Sequence, residues 1–374
     1  MLICKWGCDG SHQAQYKQCF ETETNSDGSI FQSSFVPLRL ICKNNQKIVW
    51  QNPTPSSPRY CRPIRMRFIK ESTIVINEEI EYIESAISSL EPTKMFTNGK
   101  EIQVKFKMML TMVDGKVCNA ATETSSTMKC YICGATSKDF NNLNLEAKVE
   151  SNALRFGLSI LHARIRLFEA LLHLSYKLPL KKWRLSGNEK EIAKERKTMI
   201  QESFKKRLGL IVDVPKPGYG NTNDGNTSRR FFTDPKIASE ITGVDINIIH
   251  RFKVILETLS SGFKIDNEKF DEFCKETASL YVKLYPWYPM TPTVHKILIH
   301  ASTVVEHALL PIGQLSEEAV ESRNKYIRLY REHFSRKFSR QNCNIDVLNR
   351  LLLNSDPLIT GELQSKYLII FKLK

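Results

Sequence analysis

The dominant period of the hydrophobic residues shifts from strand to helix along this chain, and that shift constrains the fold most. For the first hundred-odd residues apolar side chains come in short runs, β-branched, aromatic or alternating. From about residue 150 they recur at helical intervals. The runs LICKWGCD (2–9), SIFQSSFVPLRLICK (29–43) and QKIVWQN (46–52) read as strands. A Pro/Ser-rich stretch, NPTPSSPRYCRP (52–63), is expected to be irregular. NEEIEYIESAISSL (77–90) then places Ile80, Ile83, Ile87 and Leu90 on one helical face, with acids in its first turn. EIQVKFKMMLTMVDG (101–115) returns to strand. Strands interleaved with a helix predict a mixed α/β layer. Two of its strands end alike, in Cys8-Asp9-Gly10 and Val113-Asp114-Gly115. Asp-Gly is a turn former, but strand ends are also where α/β sheets gather functional groups.

The second part reads as helices over 152–178, 188–210, 245–262 and 267–288, with a Gly/Asn-rich loop over 216–232 whose 216–228 stretch is the candidate mobile segment. The formal charge of +14 and pI of about 9.2 favour a polyanionic partner, most simply nucleic acid. A solvated basic surface is the plainer reading of the same numbers. At 374 residues the chain can hold two or three cores. Its ten cysteines fall singly except for Cys4/Cys8 and Cys130/Cys133, which is no disulfide scaffold. There is no signal-peptide pattern and no bilayer-length apolar run. The expectation is an intracellular, reducing setting without a membrane, and the charge suggests the nucleus.

KCYICGA supplies Cys130 and Cys133 as C-x-x-C, and TVHKILIH supplies His295 and His300 with four residues between them. Two thiolates and two imidazoles can complete a tetrahedral zinc site. The gap of roughly 160 residues is unlike a zinc finger and would tie the start of the helical region to its end. A redox pair, core thiols and a hydrogen-bonded core histidine remain open on the residues alone. YPWYP (285–289) can stack on a base or pack a bend, and His162 reads as core.

LLPIGQLSEEAVESRNKYIRLYREHFSRKFSRQ reads as a helix capped by Ser316, with Glu317 and Glu318 in its first turn and Glu321 one turn on. A basic series follows: Arg323, Lys325, Arg328, Arg331, Arg336, Lys337 and Arg340. These are the candidate DNA contacts; a solvated helix with Glu321 and Lys325 paired is the alternative. Asp9, Asp114 and a helical glutamate form the kind of donor set that two hard cations need for phosphodiester chemistry. Chemistry alone does not choose among Glu317, Glu318 and Glu321.

The stretches KWGCDG, MVDGKV, KCYICGA, TVHKILIH and PIGQLSEEAVESRNK, in this order over roughly residues 2–345, resemble the catalytic core of the V(D)J recombination-activating proteins and Transib-type DDE transposases. The resemblance implies an α/β fold, an RNase H-like mixed sheet split by a large, mainly helical zinc-stapled insertion. It implies core over 1–118, insertion over 119–304, the catalytic-glutamate helix over 305–345 and a tail over 346–374. It makes Asp9, Asp114 and Glu321 the catalytic triad, holding Mg²⁺ or Mn²⁺. It makes Cys130, Cys133, His295 and His300 the ligands of a structural Zn²⁺. The implied activity is cleavage of double-stranded DNA at transposon ends by nicking and hairpin formation, followed by strand transfer. The implied assembly is a homodimer on paired ends, with or without an accessory subunit. In that family an end-binding and dimerisation region precedes the core, whereas this sequence starts eight residues before Asp9, so the resemblance implies an N-terminally truncated core. The alternative expectation is an inactive domesticated fragment that binds DNA or a protein; a zinc-stapled helical interaction protein with incidental acids is the third.

Overall fold

A computed structural model of the chain describes residues 1–12, 21–22, 25–26, 28–145, 148–216 and 220–359. The architecture is mixed α/β, with a mixed sheet and thirteen α-helices among the described residues. The chain divides into two compact units, Met1–Ala121 with Gln314–Lys374, and Thr122–Gly313.

The first unit is built on β1 (Leu2–His12). Two very short strands follow, β2 (Glu21–Thr22) and β3 (Asn25–Ser26), which pair only with each other. β4 (Ser29–Ile41) lies antiparallel to β1, with Asp9 opposite Gln32. The other edge of β4 carries β5 (Ile48–Gln51) towards one end and β6 (Arg62–Arg67) towards the other. After α1 (Thr73–Ser88), an Asn98-Gly99 hairpin joins β7 (Thr93–Thr97) to β8 (Lys100–Val104). β9 (Phe106–Leu110) then runs parallel to β1, and α2 (Gly115–Ala121) follows. The main sheet thus has five strands with β1 inside it. Ile3, Cys4, Lys5, Trp6 and Cys8 are all buried, as befits a strand covered on both faces.

Several elements differ from the sequence reading. The irregular stretch ends at Cys61; β6 starts at Arg62 and tolerates Pro63 because it is an edge strand. α1 starts earlier, at Thr73 behind a Ser72 cap, and Leu90 lies beyond its end and exposed. The run 101–115 is two strands, because β8 turns back on β7 before β9 joins the sheet. The helix expected after Ser316 is also two. α12 (Glu318–His333) and α13 (Arg340–Asn354) follow a short turn of helix, α11 (Ile312–Leu315). Ile327 and Tyr330 of α12 pack with Ile30 of β4 and with Val347 and Leu351 of α13.

The second unit is helical. It contains α3 (Ile160–Lys177), α4 (Glu189–Leu208), α5 (Gly225–Thr233), α6 (Pro235–Thr242), α7 (Ile246–Ser260), α8 (Asn267–Leu284), α9 (Pro292–His295) and α10 (Ala301–His307). Asp224, Asp234, Asp245 and Asp266 cap α5 to α8 by accepting from first-turn amides, which explains acids at those breaks. The Asp224 cap starts α5 inside the expected loop, so Arg229, Arg230 and Phe231 are helical. Of the candidate mobile segment, 217–219 lie outside the described residues. Tyr285 and Tyr288 of YPWYP are buried, and Tyr285 Oη accepts from the Asp245 amide at 2.9 Å, so these two rings pack a bend.

Candidate functional site

In the first unit, Asp9 lies within β1, which runs on to His12 instead of ending at Asp9-Gly10 as expected, and two glycines beside it are there for space. A Cβ on Gly7 would lie 1.8 Å from the Met112 carbonyl oxygen, and one on Gly10 would lie 2.7 Å from Glu71 Cβ. The first glycine lets the segment after β9 cross β1: the Thr111 and Met112 amides both donate to the Trp6 carbonyl at 3.1 Å. Two residues on, Asp114 Oδ1 accepts from the amides of Lys116 (2.9 Å) and Val117 (2.8 Å), starting α2. The second glycine admits Glu71, an acid that the sequence reading did not single out. Its only advance signal was a glycine whose need for space had no visible cause.

Glu71 Oε2 accepts from Lys116 Nζ at 2.7 Å, while its Oε1 is buried without a hydrogen-bond partner. Burial raises the Glu71 carboxyl above its ordinary value. Burial, then the charges of Glu321, Asp114 and Glu71, push the Asp9 carboxyl well above the usual carboxylate range. Asp9 therefore lies within electrostatic reach of three other carboxylates. The fit of the site to a hard cation rests on that unpartnered Glu71 oxygen and on an all-oxygen donor set.

Glu321 reaches this place because α12 runs alongside β1. The fully buried Lys5 donates from Nζ to the Ser316 carbonyl at 2.6 Å, and Asn324 Nδ2 donates to Asp9 Oδ2 at 2.5 Å. Lys5 and Asp9 share a strand face. The four-residue strand step covers about 13 Å and the eight-residue step from Ser316 to Asn324, mostly helical, about 12 Å, so the two attachments stay in register. Burial lowers the Lys5 ammonium to about 8, against the support of Cys61, Glu317 and Glu318. Of the three glutamates that chemistry left open, Glu317 is buried and acts on Lys5, whereas Glu321 acts on Asp9.

The expected cationic stripe is corrected in part. Arg323 and Arg331 are 2% and 3% exposed, so they do not present a basic face to solvent. Arg323 shares the inward stripe of α12 with Val320 and Ile327 and lies against Cys61. Arg328 pairs with Glu332 at 3.1 Å and Arg336 with Asp346 at 2.8 Å. Lys337 donates to the Arg331 carbonyl. Arg336 and Lys337 lie between α12 and α13, and Arg340 opens α13. Lys325 is exposed on α12.

In the second unit, Cys130, Cys133, His295 and His300 offer ligand atoms that all lie within 4.8 Å of one another, a group that can hold a metal ion. Among the described residues no other group of three or more His, Cys, Asp or Glu is drawn together so tightly, and the carboxylates around Asp9 are not. The cysteines sit in a tight turn: the Gly134 amide donates to the Cys130 carbonyl (2.7 Å) and the Cys130 amide to the Ala135 carbonyl (2.9 Å). Gly134 takes φ 72°, a conformation that favours glycine. Between α9 and α10 the helix widens into a π turn over Lys296–His300. Five residues of ordinary α-helix would swing two side chains about 140° apart. The i→i+5 turn brings His295 and His300 back to one side, with ring centroids 5.1 Å apart. Cys133 Sγ lies 3.5 Å from His295 Nε2, and Phe140 stacks on the His295 ring. Burial holds His295 down to about 4, which favours the neutral, metal-binding imidazole; between the two thiols, their shared hydrogen bond lowers Cys130 and raises Cys133. His162, expected in the core, is only half-buried, with its Nδ1 2.9 Å from Ser159 Oγ.

No helix among the described residues is long and apolar enough to cross a membrane. No known protein-family model matches this chain, and no curated protein matches it either.

Proposed function

We propose that this chain carries the RNase H-like core of a DDE-type DNA transposase or recombinase, acting as a metal-dependent endonuclease and strand transferase. The observation that carries the reading is that the charges of Glu321 and Asp114 both act on Asp9, bringing together an acid within β1, one at the start of α2 and one on α12. Carboxylates of like charge repel, and their gathering makes sense where cations offset them. Mg²⁺ or Mn²⁺ at Asp9, Asp114 and Glu321 would supply Lewis acidity at the scissile phosphate. Glu71 adds a fourth carboxylate beside them, and Lys116 limits its charge.

The chemistry proposed is nicking followed by hairpin closure. Water adds to phosphorus as the 3′ oxygen leaves, and the freed 3′-hydroxyl then attacks a phosphorus of the opposite strand, whose own 3′ oxygen leaves as a hydroxyl. In the second unit Cys130, Cys133, His295 and His300 hold Zn²⁺; thiolate and imidazole suit that ion, and a closed four-ligand set suits a structural role. The positive charge favours double-stranded DNA as substrate. A homodimer on paired transposon ends in the nucleus, with an accessory subunit where one exists, completes the reading drawn from the resemblance.

The test is nicking of a labelled duplex in Mg²⁺ and in Mn²⁺, with wild type and Glu321→Gln. The reading expects cation-dependent nicking that falls to background in the variant while duplex binding persists. Duplex binding without nicking in either cation would refute it in favour of an inactive binding factor.

A further inference from the structure

Asp9 is held by a polar relay that spans three elements. Asn324 Nδ2 donates to Asp9 Oδ2 at 2.5 Å, and Gln32 Nε2 donates to Asn324 Oδ1 at 2.6 Å. Gln32 sits directly opposite Asp9 in the β1–β4 register and is 1% exposed. Asn324 lies three residues after Glu321, on the same side of α12.

The direction of the relay is fixed by chemistry. With a cation bound, as the proposed function requires, Asp9 is ionised and only accepts, so Asn324 turns its NH₂ to Asp9 and its carbonyl away. That carbonyl needs a donor, so Gln32 must also turn its NH₂ inward. Gln32 Oε1 is left buried without a hydrogen-bond partner, an unfavourable arrangement for a glutamine that served packing alone.

We infer that Asn324, oriented by Gln32, is a positioning residue for the metal centre. It occupies Asp9 Oδ2, leaves Oδ1 for a cation, and fixes Glu321 relative to Asp9 by tying α12 to β1. This rests on the proposed two-metal reading. A charge-assisted hydrogen bond inside a desolvated pocket is strong enough for that task. Partners that orient metal ligands in this way are typically worth 10- to 100-fold in metal affinity.

The experiment measures Mn²⁺ affinity by electron paramagnetic resonance on the full chain without DNA. Asn324→Ala and the shape-matched Asn324→Leu are expected to bind Mn²⁺ about tenfold more weakly. Gln32→Leu loses less, about threefold, and the Gln32→Leu/Asn324→Ala double variant binds no more weakly than Asn324→Ala alone, since both act through one bond. Far-UV circular dichroism identifies any variant that has not folded, and Asn324→Leu keeps the volume if Asn324→Ala fails. Mn²⁺ affinity unchanged in a folded Asn324 variant, while Glu321→Gln loses binding, overturns the relay and spares the proposed function. Losses that add in the double variant overturn the coupling. A wild-type chain with no Mn²⁺ binding sensitive to Glu321→Gln overturns both.

Discussion

Gly7→Ala is the sharpest perturbation of the first unit. The added Cβ would lie 1.8 Å from the Met112 carbonyl oxygen, whereas real Cβ atoms essentially never come within 3.0 Å of a neighbour, so the two segments must part by about 1.2 Å. Both atoms in this clash are fixed, one on β1 and one on the backbone that follows β9. At that separation the Thr111 and Met112 amides lose their bonds to the Trp6 carbonyl, now 3.1 Å each. Two backbone bonds lost beside the buried Trp6 cost about 3 kcal/mol. Asp114, two residues beyond Met112, moves with its backbone. On the proposed function, a displacement of about 1 Å in Asp114 costs about 100-fold in nicking rate. Urea unfolding checks the stability, and nicking under saturating Mn²⁺ checks the rate. Gly115→Ala is the control, because nothing lies within 4 Å of a Cβ there. The reasoning fails if Gly7→Ala unfolds within about 0.5 kcal/mol of wild type, which is the scale of an ordinary surface change.

Lys5 makes stability depend on pH in the alkaline range. Burial lowers it from 10.5 to about 8, so between those values the unfolded chain keeps a proton that the folded chain has lost. Stability attributable to Lys5 therefore rises with pH across that window, by up to about 3 kcal/mol; urea midpoints from pH 7.5 to 9.5 should rise more in wild type than in Lys5→Met. His295 works at the acid end: with its folded value near 4 against 6.5, the unfolded chain binds the extra proton between them, and stability is lost as pH falls through that range. Elemental analysis at pH 7.5 is expected to find one Zn²⁺ per chain, released on acidification towards pH 4 or by a strong chelator, and absent from Cys133→Ser.

Periodicity in a sequence reports which face of an element turns inward, not what meets it there. The strand-to-helix change, and with it the mixed α/β class, is legible for that reason. The failures follow from the same limit. β6 is hidden by Pro63 because propensity cannot see that an edge strand spares a donor. Glu71 carries no periodic mark, and only the narrow space at Gly10 betrays it. The π turn that brings His295 and His300 together is a packing outcome, invisible in a spacing of four intervening residues. The cations of α12 and of the link to α13 are the most instructive case. Written in one line they read as a DNA-facing stripe, yet Arg323 faces Cys61 under the sheet and Arg331 is equally enclosed. Arg328 and Arg336 face carboxylates. Lys5 makes the converse point, a cation inside an apolar strand that fastens the start of the helix bearing Glu321. Net charge therefore overstates the field that this helix offers a phosphate backbone. Part of it is spent inside the fold, holding α12 where its acid can act on Asp9.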